Sequence, residues 1–205
     1  METPRTAGII LAAGASRRFG RPKQLVNFRG KPLLEWVIDA AAHSDLDTII
    51  LILGHAHDEI LERLDERLLE ADISTFINHE YPSGQSSSLK IGLSMVRGDH
   101  QAAIFLPGDQ PLITSQLINQ LIDAFWKSPK TIAAPVYGGR RGAPAIFGRR
   151  HFDALMQTEG DRGGRGLIET HAGDVLEVET GDPHMLADID TPEDLTRLQA
   201  LKDEW

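Results

Sequence analysis

The chain has 205 residues, enough for one well-buried domain and too few for two comfortable ones, so we treat 1–205 as a single domain. Hydrophobic residues make up 41% and charged residues 25%, and no apolar run approaches the roughly 20 residues that span a bilayer. The absence of cysteine excludes disulfides, thiolate nucleophiles and Cys-based zinc sites. Since no pattern typical of a secretory leader is present, we expect a cytoplasmic protein with no membrane partner.

The charge balance argues against a nucleic-acid partner. The net charge is −9, from 21 basic and 30 acidic residues, whereas proteins that grip a nucleic-acid backbone are normally basic. The densest cluster of basic residues is local and contains Arg17, Arg18, Arg21 and Lys23. A dense basic loop in an acidic protein suits a small polyanion better than a long one.

Short apolar runs alternate with longer helical patterns along the first two thirds of the chain. The apolar runs predict strands at residues 7–11, 48–53, 73–77, 102–106 and 131–136. The intervening patterns predict helices at residues 33–42, 58–69, 87–96 and 115–126. This alternation predicts an α/β fold with three α/β/α layers around a Rossmann-like, mostly parallel sheet.

The regular alternation of apolar runs and helical patterns ends after residue 136. We predict a turn at 138–141, a strand at 145–147, a short helix at 152–156, a Gly- and Arg-rich loop at 159–166 and a strand at 175–179. The chain then closes with a helix in which Asp190 or Thr191 is the N-cap and Pro192 the first residue.

The loop after the first strand carries the clearest functional signal. The strand runs from Leu11 into small residues, namely Ala12, Ala13, Gly14, Ala15 and Ser16, which leave the backbone N–H groups open to phosphate oxygens. Arg18 and Lys23 would add a guanidinium fork and a point charge. The loop matches neither the G-x-x-x-x-G-K-[ST] nor the G-x-G-x-x-G pattern. The alternative is a flexible surface loop with solvated arginines.

A carboxylate follows the fourth predicted strand. Asp109 comes at the carboxyl end of a central apolar run, where open α/β sheets bind ligands, and Mg²⁺ prefers such hard oxygen ligands. The alternative is an ordinary turn aspartate in a Gly-Asp-x-Pro bend. A second carboxylate could come from Asp188 or Asp190, although Asp190 could serve instead as a helix N-cap.

Several motifs together resemble one enzyme family. Leu11-Ala-Ala-Gly-x-Ser-x-Arg-x-Gly-x-x-Lys23 is similar to the signature of the nucleotidyltransferase-A-like superfamily. Gly-Asp109-Gln-Pro narrows the resemblance to its MobA-like branch, and within it to the MocA-like molybdenum cofactor cytidylyltransferases. Phe19 stands where the family usually has Met. Further matching segments begin at Gly84 (GQSSSL), Gly142 (GAPAIF), Gly160 (GDRGGR) and Asp188 (DIDTP).

The resemblance implies a fold of the nucleotide-diphospho-sugar transferase type and transfer of CMP from CTP to the phosphate of the molybdopterin cofactor. Mg²⁺, or alternatively Mn²⁺, would be held by Asp109 with Asp188 or Asp190. CTP is favoured over GTP because guanylyltransferase relatives usually have Leu-Ala-Gly-Gly, whereas Ala13 would narrow the base pocket. The implied catalytic residues are Arg18, Lys23 and Asp109; the further nucleotide contacts are Leu11, Ala12, Ala13, Gly14, Ser16, Gly84 and Ser88; the acceptor contacts are Arg141, Pro144, Asp161 and Arg165.

Other functions remain open at this level. A guanylyltransferase, or a transferase for another phosphorylated acceptor, would share the loop and Asp109. A non-catalytic carrier or chaperone of the molybdenum cofactor would keep the loop but need no carboxylate pair. A molybdoenzyme or its chaperone is a further expected partner. His55 and His57 have a spacing that can hold a metal, but no third ligand is evident nearby, so we do not expect zinc there.

Overall fold

The computed structural model describes residues 3–201. Its strands are β1 (Arg5–Ala12), β2 (Asn27–Phe28), β3 (Lys31–Pro32), β4 (Thr48–Leu53), β5 (Ile73–Ile77), β6 (His100–Pro107), β7 (Ile132–Tyr137), β8 (Arg140–Arg141), β9 (Ala145–Gly148) and β10 (Val175–Glu179). Its α-helices are α1 (Leu33–Ala42), α2 (His57–Glu70), α3 (Gln85–Met95), α4 (Ser115–Lys127), α5 (Phe152–Met156), α6 (Arg165–Thr170) and α7 (Pro192–Gln199). No helix within this part of the chain is long and apolar enough to cross a membrane.

The main sheet runs in the order β10-β7-β9-β6-β1-β4-β5, with β8 paired to β7. Strands β6, β1, β4 and β5 are parallel neighbours, as are β7 and β10, whereas β9 runs antiparallel between β6 and β7. The predicted α/β class with a mostly parallel sheet is therefore confirmed. The three-layer arrangement follows from right-handed crossovers that place helices on both faces of the sheet.

Side chains that alternate along β1 divide the core into two layers. Ile10 faces a cluster that includes Leu34 of α1, Leu64 of α2 and Leu121 of α4. Ile9, on the other face, packs in a cluster with Leu89 of α3 and with residues of α5 and α6. Both isoleucines are completely buried, as period-two alternation in a sheet covered on both sides requires.

Most predicted boundaries agree with the structure to within one or two residues, and those of α1, β4, β5, α5 and β10 agree fully. Strand β1 begins earlier than predicted because Arg5 is held at the sheet edge: its N–H donates to Gln101 Oε1 at 2.7 Å, and its side chain pairs with Asp47 and Asp99. The turn predicted at 138–141 was wrong in its second half, since β8 pairs there with the end of β7. The short hairpin of β2 and β3 was not predicted.

Thr191 is the N-cap of α7. Its hydroxyl accepts from the N–H of Asp194 at 3.2 Å, and the Asp194 carboxylate accepts from the N–H of Thr191 at 3.0 Å, which completes a capping box. Pro192 occupies the first helical position. Asp190, the other candidate cap, therefore has its carboxylate available for other partners.

Candidate active site

Three neighbouring parallel strands end at the same place. Leu11 of β1 lies opposite Pro107 of β6, and Ala12 lies opposite Leu53 of β4, so the loops that follow these strands leave the sheet side by side. Between them and the start of α3 lies a cleft of about 450 Å³, here called the first cleft. Its lining includes Leu11, Ala12, Ala13, Gly14, Ser16, Lys23, Gly84, Ser88 and Asp109, all predicted nucleotide contacts, together with Gln24, Tyr81, Pro82 and Gln85.

The loop after β1 is held in shape by its own polar groups. Gln24 is 3% exposed, and its side-chain amide donates to the carbonyl of Ala12 at 2.7 Å and to that of Gly14 at 3.2 Å. Ser16 adopts a left-handed backbone, with φ 51°, and its hydroxyl accepts from the N–H of Lys23 at 3.0 Å. Since Ser16 bonds within the loop, it closes the loop in this structure. The small-residue part of the loop is thus braced by internal hydrogen bonds, whereas Arg17, Arg18 and Arg21 are exposed, as in the solvated-loop alternative.

Lys23 links two carboxylates that are far apart in sequence. Its Nζ lies 2.6 Å from Asp109 Oδ2 and 2.9 Å from Asp190 Oδ1. Burial disfavours the ammonium, but the charge of Asp109 and the hydrogen bonds to both carboxylates outweigh it, so the pKa of Lys23 is raised. Lys23 therefore stays charged at neutral pH and holds the two aspartates together.

Asp190 has a second cation. The Nη2 of Arg18 lies 2.9 Å from Asp190 Oδ2, so both oxygens of this carboxylate are paired with residues of the loop. Partial burial raises the pKa of Asp190, but the hydrogen bond and charge of Lys23 and the charge of Arg18 lower it more, and the net pKa is lowered. Arg18 does not line the first cleft. Its guanidinium instead pairs with the carboxylate oxygen of Asp190 that Lys23 does not contact.

Asp188 differs from its neighbour. Its Oδ1 accepts a hydrogen bond from Gln110 Nε2 at 2.7 Å, and within residues 3–201 it makes no salt bridge. Desolvation by the surrounding protein and then the charge of Asp109 raise its pKa, and the Gln110 hydrogen bond only partly opposes them. The three aspartates, here called the carboxylate cluster, thus hold more negative charge than the nearby cations balance.

The carboxylate oxygens of the cluster suit a divalent cation whose remaining ligands are supplied by a substrate and by water. No group of three His, Asp or Glu side chains in the described part of the chain is arranged to hold a metal alone, so Asp109, Asp188 and Asp190 do not form a ready three-carboxylate cage. Mg²⁺ is typically held by one or two carboxylates plus phosphate oxygens and water. The uncompensated carboxylate charge and the hard oxygen donors fit such a shared site.

A second cleft of about 440 Å³ lies on the other side of the cluster. Asp188 and Asp190 line it, whereas Asp109 lines the first cleft, so the cluster separates the two clefts. The rest of its lining combines three arginines and one further aspartate with an aromatic and apolar wall: Arg140, Arg141, Arg197, Asp194, Tyr137, Gly142, Pro183, Leu186 and Ala187. Two of the arginines are paired, Arg141 with Glu177 at 2.6 Å and Arg197 with Asp194 at 2.7 Å.

The residues predicted to contact the acceptor are dispersed. Arg141 lines the second cleft, but Asp161 lines the first, where its carboxylate accepts from the N–H of Gln85 at 3.2 Å. Pro144 is buried beside the sheet and Arg165 is exposed at the start of α6, and neither lines either cleft. These four side chains therefore do not form one site in this structure.

Gly84, at the serine-rich entry of α3, meets the Gly- and Arg-rich loop around Gly160 at the wall of the first cleft. Gly84 has φ +110°, and a Cβ built on it would lie 2.5 Å from the backbone carbon of Gly160. Only glycine fits this close approach without displacing the chain. The contact brings the Gly160 loop, and with it Asp161, against the entry of α3.

Ala13 lines the first cleft but offers it little free surface. It is 5% exposed, and a Cβ on Gly54 would approach the Cβ of Ala13 to 2.8 Å. The methyl group therefore packs largely against the exit of β4. Ala13 would therefore affect the base pocket mainly by setting the position of the chain after β4, and only slightly by contacting the base itself.

Sequence reasoning missed several residues of the two clefts. Gln110 stands in the quoted Gly-Asp109-Gln-Pro motif and Gln24 directly follows the Leu11–Lys23 motif, but neither was assigned a role, because a buried amide has no local sequence signature. Tyr137 and Arg197 come from β7 and α7, and only the tertiary structure brings them to one cleft. Tyr81, three residues before the GQSSSL motif, was assigned no role either.

Residues 8–175 match the MobA-like NTP transferase domain. The chain belongs to this family. Among relatives, it is 27% identical to nicotine blue oxidoreductase of Paenarthrobacter nicotinovorans, across 96% of this chain and 98% of that protein. It is also 27% identical to a probable molybdenum cofactor guanylyltransferase of Bacillus anthracis, across 75% of this chain and 74% of that protein. The family match ends before Asp188, so two of the three aspartates of the carboxylate cluster and most of the lining of the second cleft lie beyond it.

Solved structures extend the likeness to the whole length. The Mycobacterium sp. strain JC1 homologue of Mycobacterium tuberculosis Rv0371c superposes with a TM-score of 0.83 at 34% identity, covering 96% of both chains. Rv0371c itself, in complex with manganese, superposes with a TM-score of 0.76 at 27% identity, covering 97% of this chain and 99% of that one. The protein thus has the nucleotide-diphospho-sugar transferase type of fold and belongs to a nucleotidyltransferase family.

Proposed function

We propose that this protein transfers CMP from CTP to the phosphate of the molybdenum (molybdopterin) cofactor and releases pyrophosphate. The observation that carries the proposal is the position of the carboxylate cluster between two clefts, with Lys23 bonded to Asp109 on one side and Asp190 on the other. Such an arrangement suits a transferase, because the donor in one cleft and the acceptor in the other would both reach the charged groups between them.

The first cleft would take the donor. Backbone N–H groups at Ala12, Ala13 and Gly14 would face the phosphates, since small side chains leave them accessible. Lys23 would exchange part of its contact with Asp109 for the triphosphate. Arg18 does not line this cleft while it is paired with Asp190, so it would add charge at the outer phosphates only after leaving that carboxylate. Gly84 and Ser88 would contact the base and ribose.

The second cleft would take the acceptor. An acceptor phosphate could exchange with the carboxylates that now pair with Arg141 and Arg197, and Tyr137 is 40% exposed and free to stack on a planar ring. An anionic acceptor oxygen attacks the α-phosphorus of CTP, forming one P–O bond as the bond to the β-phosphate oxygen breaks and pyrophosphate leaves. Because the attacking oxygen is already ionised, no general base is needed, and catalysis rests on positioning and charge neutralisation.

Mg²⁺ would be held by Asp109 and one further carboxylate of the cluster, with Mn²⁺ as an alternative. When bound, the metal neutralises charge on the reacting phosphates and aligns them. The excess negative charge of the cluster supports this assignment, as does the manganese complex of Rv0371c. Removal of divalent metal with EDTA should abolish turnover, and added Mg²⁺ should restore it.

The preference for CTP rests on the resemblance of Leu11-Ala-Ala-Gly14 to the cytidylyltransferase motif. The packing of Ala13 against Gly54 supports it only indirectly, through the position of the β4 exit. Calorimetric titration of CTP and GTP with Mg²⁺ tests the base: tighter CTP binding is expected, and tighter GTP binding would overturn the cytidylyl assignment. Ala13→Gly should narrow the difference between the two nucleotides.

Pyrophosphate release is the direct test of transfer. Purified protein, CTP, Mg²⁺ and molybdenum cofactor should release pyrophosphate in proportion to the cytidylylated product. A non-catalytic carrier would bind the cofactor without releasing pyrophosphate. If CTP fails but GTP supports release, the protein is a guanylyltransferase; if other phosphorylated acceptors replace the cofactor, the acceptor assignment is wrong.

An oxidoreductase is the second candidate, because the likeness to nicotine blue oxidoreductase covers 96% of the chain. The first loop does not have the G-x-G-x-x-G pattern that many dinucleotide-dependent oxidoreductases carry. Oxidation of NADH or NADPH in the presence of a reducible dye distinguishes this activity. Dye reduction without pyrophosphate release would favour it over transfer.

A further inference from the structure

Asp188 and Asp190 are two residues apart, yet their surroundings differ. Both oxygens of Asp190 are paired with cations of the loop, Oδ1 with Lys23 at 2.9 Å and Oδ2 with Arg18 at 2.9 Å. Asp188 has no salt bridge within residues 3–201, and the one hydrogen bond found for its carboxylate there comes from Gln110. The negative charge of Asp190 is therefore already balanced by two cations, whereas Asp188 is held in place by an amide that does not balance its charge.

The partner of Asp188 is unusually buried. Gln110 is 4% exposed, its Nε2 lies 2.7 Å from Asp188 Oδ1, and its Oε1 has no hydrogen-bond partner among the described residues. A buried amide whose oxygen has no hydrogen-bond partner costs stability compared with an apolar side chain of similar size. Such a group calls for a reason other than packing.

The backbone strengthens the link between Asp188 and Asp109. The N–H of Ile189 donates to the carbonyl of Asp109 at 2.9 Å, and Ile189 is completely buried. Asp109 and Gln110 are adjacent, so a main-chain bond and a side-chain bond join the same two segments. Together they fix the carboxylate of Asp188 relative to that of Asp109.

We propose that Gln110 is a positioning residue that holds Asp188 beside Asp109 as the second carboxylate of the metal site, while Asp190 anchors the loop through Lys23 and Arg18. The inference rests on the proposed function only in assuming that the cluster receives a divalent cation. Amides and carboxylates that orient metal ligands in this way commonly contribute about 10–100-fold to metal affinity.

The test is a titration of the purified protein with Mn²⁺, followed by the electron paramagnetic resonance signal of free Mn²⁺. It is run without nucleotide and again with a non-hydrolysable CTP analogue, and no acceptor is needed. Asp188→Asn and Gln110→Met should each weaken Mn²⁺ binding by about 10-fold or more. Asp190→Asn is the matched control: it should keep Mn²⁺ affinity within about threefold but speed hydrogen exchange in residues 14–22.

Melting temperature and far-UV circular dichroism report whether each variant folds. If Gln110→Met does not fold, Gln110→Asn replaces it: the shorter side chain keeps the amide but does not reach Asp188, so the same loss is expected. Wild-type Mn²⁺ affinity in a folded Gln110 variant would overturn the proposal. So would a loss in Asp190→Asn equal to that in Asp188→Asn, or no wild-type Mn²⁺ binding with or without the analogue.

This outcome is separate from that of the proposed function. If the Mn²⁺ ranking holds but no acceptor yields pyrophosphate, the assignment of Gln110 stands and the transfer reaction is wrong. If pyrophosphate is released but the ranking fails, the reaction stands and the role of Gln110 is wrong.

Discussion

The two edges of the central sheet both carry clusters of charged side chains, but their charges are satisfied differently. At the amino edge, where the parallel strands begin, Asp47 accepts from the N–H of Thr6 at 2.7 Å and pairs with Arg5. Asp174 accepts from the N–H of Thr131 at 3.2 Å and from its hydroxyl. These carboxylates satisfy the backbone at strand starts and face no described cleft.

At the carboxyl edge the carboxylates bond to side chains rather than to strand starts. Asp109 and Asp190 share Lys23, and Asp188 has only an amide as its partner in the described part of the chain. Two clefts open on this cluster. Charges bonded to backbone groups therefore stabilise the fold, whereas carboxylates that line a cleft without a full set of cation partners remain available to a ligand. Substitutions at the carboxyl edge should therefore lower activity with little change in stability, and substitutions at the amino edge should lower stability with little change in activity.

The largest effect is expected at Asp109. Asp109→Asn keeps the size of the side chain but removes the charge, and kcat/KM for pyrophosphate release should fall by about 10²–10³-fold. The melting temperature should change little, because the backbone bond to Ile189 remains. Turnover close to that of the wild type would remove Asp109 from the mechanism.

Lys23→Met should act next most strongly. It removes a charged hydrogen-bond donor from the first cleft, so the KM for CTP should rise by about 10–100-fold, as expected for a charged bond of about 1.5–3 kcal/mol. Steady-state kinetics with each substrate varied in turn measures this. An increase confined to the KM of the acceptor would contradict the placement of Lys23 on the donor side.

Asp174→Ala should show the reverse pattern at the amino edge. Loss of its bonds to Thr131 should cost about 1–2 kcal/mol and lower the melting temperature by about 2–8 °C, with kcat/KM unchanged. Asp123→Ala is a suitable control, because within residues 3–201 it makes one ion pair, an exposed one with Lys127. A loss of activity at unchanged stability would break the distinction between the two edges.

The smallest effect is a pH dependence of stability from His151. Burial, and then the charge of His171, lower the pKa of this imidazole, although Asp174 opposes them. The unfolded chain therefore takes up a proton first: the stability is fully present above a pH of about 6.5 and is lost as the pH falls towards the lower folded pKa. Melting curves between pH 7.5 and 5 should show this decline. His151→Gln should flatten it, and an unchanged slope would exclude His151 as its source.

Local patterns were sufficient for most of the architecture. The ends of α1 and β4 are predicted to the residue, because an amphipathic or apolar period and its interruption by polar residues are properties of neighbouring side chains. The small and basic composition of the loop after β1, and the carboxylate after β6, likewise pointed to the edge where open sheets bind ligands. The division of roles within that edge was not predictable in the same way.

The fold class, the small-residue loop after β1 and the candidate residues could be predicted from local patterns, because these depend on short-range periodicity, turn chemistry and the order of strands. The packing of distant segments, in contrast, determines that Lys23 meets Asp190 across 167 positions, that Thr191 rather than Asp190 caps α7, and that Asp161 lines the first cleft. It also determines that Asp188 faces Gln110 while Asp190 faces the loop. The reason is physical: hydrogen bonds and salt bridges between distant segments depend on how the strands pack, and no local pattern records which of two nearby carboxylates finds a cation.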